Sequence, residues 1–151
     1  YSTVASFVTL AEEKFFSKGP DGGMMTFYES IEEDGKNLCL ITGSPTNDGD
    51  GDPGYKLIDE QTKHKCERGS LVMLKQYDPE TEGYSENSSG SQFFICVQDI
   101  PFFDVNYKFT VFGKVTKGLE ILDKLQKGDA LEAIEIVKKK SHGYGNIRKV
   151  K

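Results

Sequence analysis

Apolar positions recur at helical spacing near both ends of the chain. Within residues 3–16 the apolar side chains Val4, Phe7, Val8, Ala11 and Phe15 recur at helical spacing, and the charged residues 12–14 lie on the other side. This spacing predicts an amphipathic helix that packs on a core. A second helical pattern covers residues 118–126, where a leucine returns at every third position, and Gly128 ends it.

Short apolar runs between these two segments predict β-strands. The expected strands cover residues 24–31, 38–41, 70–74, 92–97, 107–115 and 131–137. Two long polar stretches, residues 42–54 and 75–91, interrupt them, and ordered loops of that length often serve function. Short strands with one helix near each end predict a mostly β, closed or nearly closed architecture capped by helices.

The composition is that of one folded domain. The chain has 151 residues, of which 36% are hydrophobic and 28% charged, so it can bury a core and is unlike a disordered protein. The net charge of −5 argues against a nucleic-acid partner, because phosphate binding needs a basic surface. No apolar run approaches the roughly 18 to 20 residues of a membrane helix, so no membrane segment is expected.

The cysteines and the basic residues add two expectations. Three cysteines, Cys39, Cys66 and Cys96, are an odd number and favour free thiols over a disulfide framework. The sequence identifies no compartment, and free thiols only slightly favour the cytoplasm. The one basic run covers residues 138–140 and is typical of a solvated tail. We therefore expect a domain over residues 1–137 and a basic tail over 138–151.

The acidic loop only imitates a metal site. Asp48, Asp50, Asp52 and Asp59 have the spacing of a calcium loop, but Pro53 stands where the sharp turn needs glycine. The bidentate glutamate of such a loop is also missing. An acidic, solvated loop is the better interpretation, and no metal or cofactor is expected.

Zinc and nucleophilic chemistry are no better indicated. His64 and Cys66 are two potential ligands, whereas structural zinc needs four. Ser91 follows a glycine, yet Gln92 replaces the second glycine of a nucleophile elbow. A serine in the turn that enters a strand is the better interpretation.

Two longer motifs are far more specific. Residues 87–95 read Asn-Ser-Ser-Gly-Ser-Gln-Phe-Phe-Ile, and residues 109–118 read Phe-Thr-Val-Phe-Gly-Lys-Val-Thr-Lys-Gly. In these elements, and in residues 52–55 and 67–73, the chain resembles the cyclophilin family of peptidyl-prolyl cis-trans isomerases, in the style of its bacterial members. The resemblance covers residues 2 to about 137.

The resemblance implies a closed, eight-stranded antiparallel β-barrel capped by two α-helices. Family members place a pair of strands before the first helix, and this sequence starts where that helix starts, so the first strand pair is expected to be absent. The implied activity is isomerisation of X-Pro bonds in proline-containing peptides or proteins, without a cofactor. A monomer is expected.

The polar machinery that the family uses is largely replaced. The arginine of the family's Phe-His-Arg element corresponds to Glu29, and an ionised carboxylate cannot donate a hydrogen bond. The family's substrate-positioning glutamine corresponds to Ile41, and its Ala-Asn pair to Leu74 and Lys75. We therefore expect weak activity.

Other positions match the family in kind. The resemblance assigns catalytic positions to Glu29, as a non-functional replacement, and to Gln92 and Phe94. It assigns substrate contacts to Leu38, Cys39, Ile41, Met73, Leu74, Lys75, Phe94, Phe102, Phe103 and Phe109. A structural role in the barrel core is the alternative for Phe94, Met73 and Phe103.

Three functional hypotheses follow from these replacements. The first is a weak isomerase that acts through the apolar pocket and binding strain, helped if Arg148 of the tail reaches the pocket. The second is an inactive protein that binds peptides without turning them over. The third is a scaffold that presents the loops at residues 42–54 and 75–91.

Overall fold

The structure, a computed structural model, describes residues 2–139 and 147–150. It is mostly β, as predicted. Its α-helices are α1 (Ser2–Glu12), α2 (Pro101–Asn106) and α3 (Leu119–Leu122). Its strands are β1 (Met25–Thr26), β2 (Glu29–Glu33), β3 (Lys36–Thr42), β4 (Ser70–Met73), β5 (Tyr77–Asp78), β6 (Gly83–Tyr84), β7 (Phe93–Cys96), β8 (Val111–Lys114) and β9 (Ala130–Leu131). Two short 3-10 turns, Phe15–Ser17 and Pro20–Gly22, follow α1.

A five-stranded antiparallel sheet in the order β2-β3-β7-β4-β8 forms the centre of the fold. Leu40 of β3 lies opposite Ile95 of β7, and Ile95 in turn lies opposite Leu71 of β4. Two ribbons complete the β structure, one from β1 and β9 and one from β5 and β6. The apolar runs of the sequence form the central strands because both faces of this sheet are covered.

The two faces of the sheet bury different side chains. Successive residues of a strand point to opposite faces, and in β7 Phe93 packs with Leu10 and Phe16 while Phe94 packs with Phe103. Helix α1 therefore covers the Phe93 face. The Phe94 face holds an aromatic cluster, described below.

Several predicted elements are shorter than expected or divided. The strand predicted over residues 107–115 forms only at Val111–Lys114, and the one predicted over 24–31 is divided between β1 and β2. Helix α1 ends at Glu12, because Lys14 adopts left-handed backbone angles (φ 62°) and a 3-10 turn follows. Helix α3 is a single turn, and the last predicted strand, residues 131–137, pairs only as far as Leu131, which lies opposite Met25. Two-residue β1 offers no further partner, so the apolar alternation beyond Leu131 forms no ladder.

The described end of the tail lies against the domain. The amide of Val150 donates to the carbonyl of Lys56 at 2.8 Å, and the amide of Ile58 donates to the carbonyl of Arg148 at 3.2 Å. Arg148 also donates its amide to Ser2 Oγ at 2.6 Å. Within residues 2–139 and 147–150, no helix is long and apolar enough to cross a membrane.

Candidate functional site

Phe94 lies at the centre of a buried aromatic cluster. Its ring centroid is 5.7 Å from that of Phe103 and 5.4 Å from that of Phe109, both in edge-to-face geometry. Phe94 is 1% exposed, Phe103 7% and Phe109 9%. Edge-to-face pairs of this kind contribute about 0.5–1.5 kcal/mol each beyond the area that they bury. Sequence analysis assigned all three residues to one apolar pocket, and the structure does bring them together.

Tyrosines cover this cluster on its outer side. The ring of Tyr84, in β6, lies 4.9 Å from the ring of Phe109 and 4.9 Å from the ring of Tyr107. Phe102 packs edge-to-face on Tyr107 at 5.7 Å between ring centroids and is itself 59% exposed. The phenylalanines are thus packed against one another and covered, and the groove beside them is not lined by Phe94, Phe103 or Phe109.

A groove of about 350 Å³ runs beside the cluster. One wall is the loop at residues 44–54 and the other is the β5-β6 hairpin with its flanks, residues 76–88. Three of the expected substrate-binding residues, Ile41, Leu74 and Lys75, line it together with Gln92. The two loops that interrupt the predicted strands therefore meet at one site.

Gln92 ties the 44–54 loop to the start of β7. Its Nε2 donates to the carbonyl oxygen of Gly49 at 2.7 Å, and its Oε1 accepts a hydrogen bond from the hydroxyl of Tyr28. Next to it, Gly43 has φ +92°, and a Cβ there would collide with the carbonyl oxygen of Ser91. Glycine is therefore needed where these two segments meet.

Tyr28 is a groove residue that sequence analysis missed. Burial raises the pKa of Tyr28 well above its usual value, and the nearby carboxylates of Glu29, Asp48 and Asp50 raise it further. The hydroxyl is therefore protonated at neutral pH and donates to Gln92. The sequence did offer a clue to Tyr28, because the resemblance places Tyr28 at the histidine of the family's Phe-His-Arg element, next to Glu29.

Glu29 does not line the groove. Its carboxylate lies 3.2 Å from the ammonium of Lys127 and accepts the backbone amide of Ser30 at 3.0 Å. Both contacts lower the pKa of Glu29, and the hydrogen bond from the Ser30 amide has the larger effect. Glu29 is thus ionised at neutral pH, half exposed and engaged outside the groove.

The cations that line the groove are already paired. Lys75 Nζ, on a side chain that is 4% exposed, lies 2.9 Å from Asp59 Oδ2 and donates to the carbonyl of Lys108 at 3.0 Å. Lys56 Nζ lies 3.1 Å from Asp52 Oδ2. Arg148 does not line the groove. Among the described residues, the groove therefore presents no unpaired cation to a substrate amide.

The remaining predicted residues lie apart from the groove. Leu38 and Cys39 belong to β3 and pack in the aromatic cluster's core, where Cys39 is fully buried. Met73 lies on the opposite face of the sheet, 3% exposed, with Phe93 and Leu10. Val72, one residue earlier, occupies the Phe94 face instead.

The weaker chemical patterns find structural roles in the fold. Ser91 Oγ donates to the carbonyl of Gly43 at 2.7 Å and is 2% exposed. Asp48 accepts the hydroxyl of Thr46, and Asp52 accepts the amide of Gly54. No group of three or more metal-binding side chains is found in the part of the chain that the structure describes.

Comparison with known proteins decides the family. The family model described as "Cyclophilin type peptidyl-prolyl cis-trans isomerase/CLD" matches residues 2–142. The chain belongs to the cyclophilin-type peptidyl-prolyl cis-trans isomerase family. The resemblance drawn from the Gly-Ser-Gln-Phe-Phe motif is confirmed.

Bacterial cyclophilins are among its relatives. The chain is 33% identical over 135 residues to a peptidyl-prolyl cis-trans isomerase of Helicobacter pylori, covering 87% of this chain and 71% of that protein. It is 35% identical over 136 residues to peptidyl-prolyl cis-trans isomerase B of Bacillus subtilis, covering 89% and 81%.

A solved structure confirms the cyclophilin fold. A cyclophilin-type isomerase of Cryptosporidium parvum, crystallised in the presence of the dipeptide Ala-Pro, matches with a TM-score of 0.63 and 26% identity. The match covers 84% of this chain and 72% of that one. The fold class expected from the sequence is therefore confirmed for this cyclophilin.

Tyr84 is the second residue of this cyclophilin's site that sequence analysis missed. It belongs to residues 75–91, which were predicted only as a long polar stretch. Tyr77 and Tyr84 are the two aromatic residues in that stretch, and they pair across the hairpin. An aromatic pair in a polar loop was the available signal.

Proposed function

We propose that this chain binds proline-containing segments in the groove beside Gln92 and isomerises their X-Pro bonds weakly. Family membership supports the reaction class, and the bacterial relatives carry the name of that activity. The observation that carries the proposal is the groove itself, where Ile41, Leu74 and Gln92 meet at the edge of the aromatic cluster.

The expected weakness follows from the chemistry of the reaction. An X-Pro bond isomerises slowly because its partial double-bond character imposes a barrier of about 18–20 kcal/mol. In the twisted amide the prolyl nitrogen loses resonance and accepts a hydrogen bond better, so a fixed donor there stabilises the transition state. Removing one such donor costs about 10²- to 10³-fold in rate. Glu29 supplies no donor.

A second candidate is peptide binding without turnover. Tyr84 and Tyr107 cover the apolar residues that a proline ring would contact, which favours this alternative. A peptide segment that binds only in the open groove would then keep its proline outside the aromatic cluster. No desolvated apolar surface would contact the prolyl amide there.

Three further expectations belong to the same proposal. A unit over residues 1–137 holds the site, with residues 138–151 as an appended basic segment whose described end packs on residues 56–58. The protein acts as a monomer. It binds no nucleic acid, an expectation supported by its net charge of −5.

Exchange NMR on a short Ala-Pro peptide tests this proposal. The cis/trans interconversion rate is measured with increasing protein, and again with the protein unfolded as a control. A rate that rises with native protein is the expected result. Changes in the peptide's chemical shifts without faster exchange would favour the binding alternative. If neither the chemical shifts nor the exchange rate changed, both candidate functions would be overturned.

A further inference from the structure

Two acidic segments form the walls of the groove. The first, residues 44–54, holds Asp48, Asp50 and Asp52 and contains no lysine, arginine or histidine. The second, residues 76–88, holds Asp78, Glu80, Glu82 and Glu86 and also lacks basic residues. Asp50 and Asp52 line the groove itself. The other five carboxylates lie elsewhere on the same two segments, so together they add to one negative potential around the groove.

The groove's own cations cancel only part of this potential. Lys56 and Lys75 line it, but each already lies within 3.1 Å of a carboxylate. Asp50, which is exposed and also lines the groove, has no ion pair and no hydrogen bond to its carboxylate among the described residues. That carboxylate is therefore available to a bound cation.

An exposed aromatic ring is a second, chemically different feature of the same groove. Tyr77 lines the groove, is 51% exposed, and packs edge-to-face on Tyr84 at 5.5 Å between ring centroids. The face of a tyrosine ring attracts ammonium and guanidinium groups. An exposed ring and an unpaired carboxylate in one groove suit a lysine or arginine side chain.

We propose that the groove selects proline-containing segments that carry a lysine or arginine close to the proline. This inference rests on the proposed function, because it specifies which proline-containing segments bind. The basic side chain lies against Tyr77 and Asp50, and the acidic walls attract the segment as it approaches. Acidic proline-containing segments are rejected by the same field.

Three matched Ala-Pro peptides test the inference by NMR titration of the full chain. They differ at one position beside the Ala-Pro unit, which is lysine, glutamine or glutamate. The lysine peptide is expected to bind about fivefold more tightly than the glutamine peptide, and the glutamate peptide more weakly than both. In 1 M NaCl, where the Debye length is about 3 Å, the difference shrinks.

Two substitutions locate the preference. Asp50→Asn and Tyr77→Leu are each expected to reduce the ratio of lysine to glutamine affinities at least twofold, while affinity for the glutamine peptide changes less. Glu13→Gln, an exposed change in the turn after α1, is the matched control and should leave the ratio unchanged.

The outcomes separate this inference from the proposed function. Equal affinity for all three peptides, or tighter binding of the glutamate peptide, would overturn the inference and leave peptide binding intact. An unchanged ratio in both substituted proteins would also overturn it. Failure of every peptide to bind would remove the proposed function, and the inference with it.

Discussion

The rings of Tyr84 and Phe109 lie 4.9 Å apart between centroids, in edge-to-face geometry. Phe109 belongs to the aromatic cluster around Phe94, whereas Tyr84 arrives from the β5-β6 hairpin. The chain therefore covers with its own side chain the apolar surface that the family resemblance assigns to a proline ring. A proline ring can contact the aromatic cluster only if the Tyr84 ring moves away, so the packing of Tyr84 determines how well proline binds.

Replacing Tyr84 by alanine is expected to uncover the cluster. The change should raise the affinity for an Ala-Pro peptide several-fold, because proline no longer has to displace the ring. It should also lower the free energy of unfolding by about 1–2 kcal/mol, since a half-buried aromatic contact is lost. NMR titration and urea denaturation measure the two effects. Tyr84→Phe keeps the ring and serves as the control, and weaker peptide binding by the alanine protein would contradict this account.

Placing a cation at position 29 is expected to increase catalysis. Arginine at this position is repelled by Lys127, which now pairs with Glu29, and is attracted toward the carboxylates of the groove. Glu29→Arg should accelerate exchange of an Ala-Pro peptide about tenfold or more, because one fixed donor contributes about 10²- to 10³-fold when well placed. Exchange NMR measures the rate. Glu13→Arg makes the same charge change in the turn after α1, and equal acceleration by both variants would show a non-specific charge effect.

The buried ion pair of Lys75 and Asp59 is expected to be important for stability. Asp59→Asn leaves the Lys75 ammonium buried without its counter-ion and should destabilise the fold by about 3 kcal/mol, typical of breaking a buried pair. Removing both charges with Lys75→Met and Asp59→Asn should recover part of that loss. Urea denaturation of the two single variants and the double variant gives the coupling. If the double variant lost as much free energy of unfolding as the two single variants together, Lys75 and Asp59 would not be coupled.

The three cysteines are expected to be inert in the folded protein. All are free and buried, and burial raises the pKa of Cys39 to about 12, so the reactive thiolate is suppressed. A thiol reagent at pH 8 should react only after urea is added, when three groups become reactive. Rapid reaction of the native protein would contradict the packing described for β3 and β7.

The same pKa shift predicts how stability depends on pH. The ordinary pKa of a cysteine is near 9, and the folded value for Cys39 is about 12, so the unfolded state loses its proton first. The contribution of Cys39 to stability is fully present below about pH 8.5 and is lost as the pH rises toward 12. Cys39→Ser should flatten the fall in urea midpoint over this range, relative to the unsubstituted protein.

The amino-acid sequence was enough to predict the family, the central strands and the groove residue Gln92. The Gly-Ser-Gln-Phe-Phe-Ile motif predicted a strand, and Phe93–Cys96 forms it. A dense apolar run has few other stable conformations when its alternate residues lie on two covered faces of a sheet. Gln92 and Phe94 came with that motif. Their positions follow from local pattern, which requires no knowledge of distant partners.

The side-chain partners at the site depend on how distant segments of the chain come together. Tyr84 lies on Phe109, and Lys75 pairs with Asp59, through loop closures that no local pattern encodes. Met73 and Val72 are equally apolar, and only the register of β4 against β7 places Val72 on the Phe94 face. A one-residue shift of register would exchange the two. Side-chain partners across the fold depend on such register and closure, so the chemistry of the groove emerged only with the folded chain.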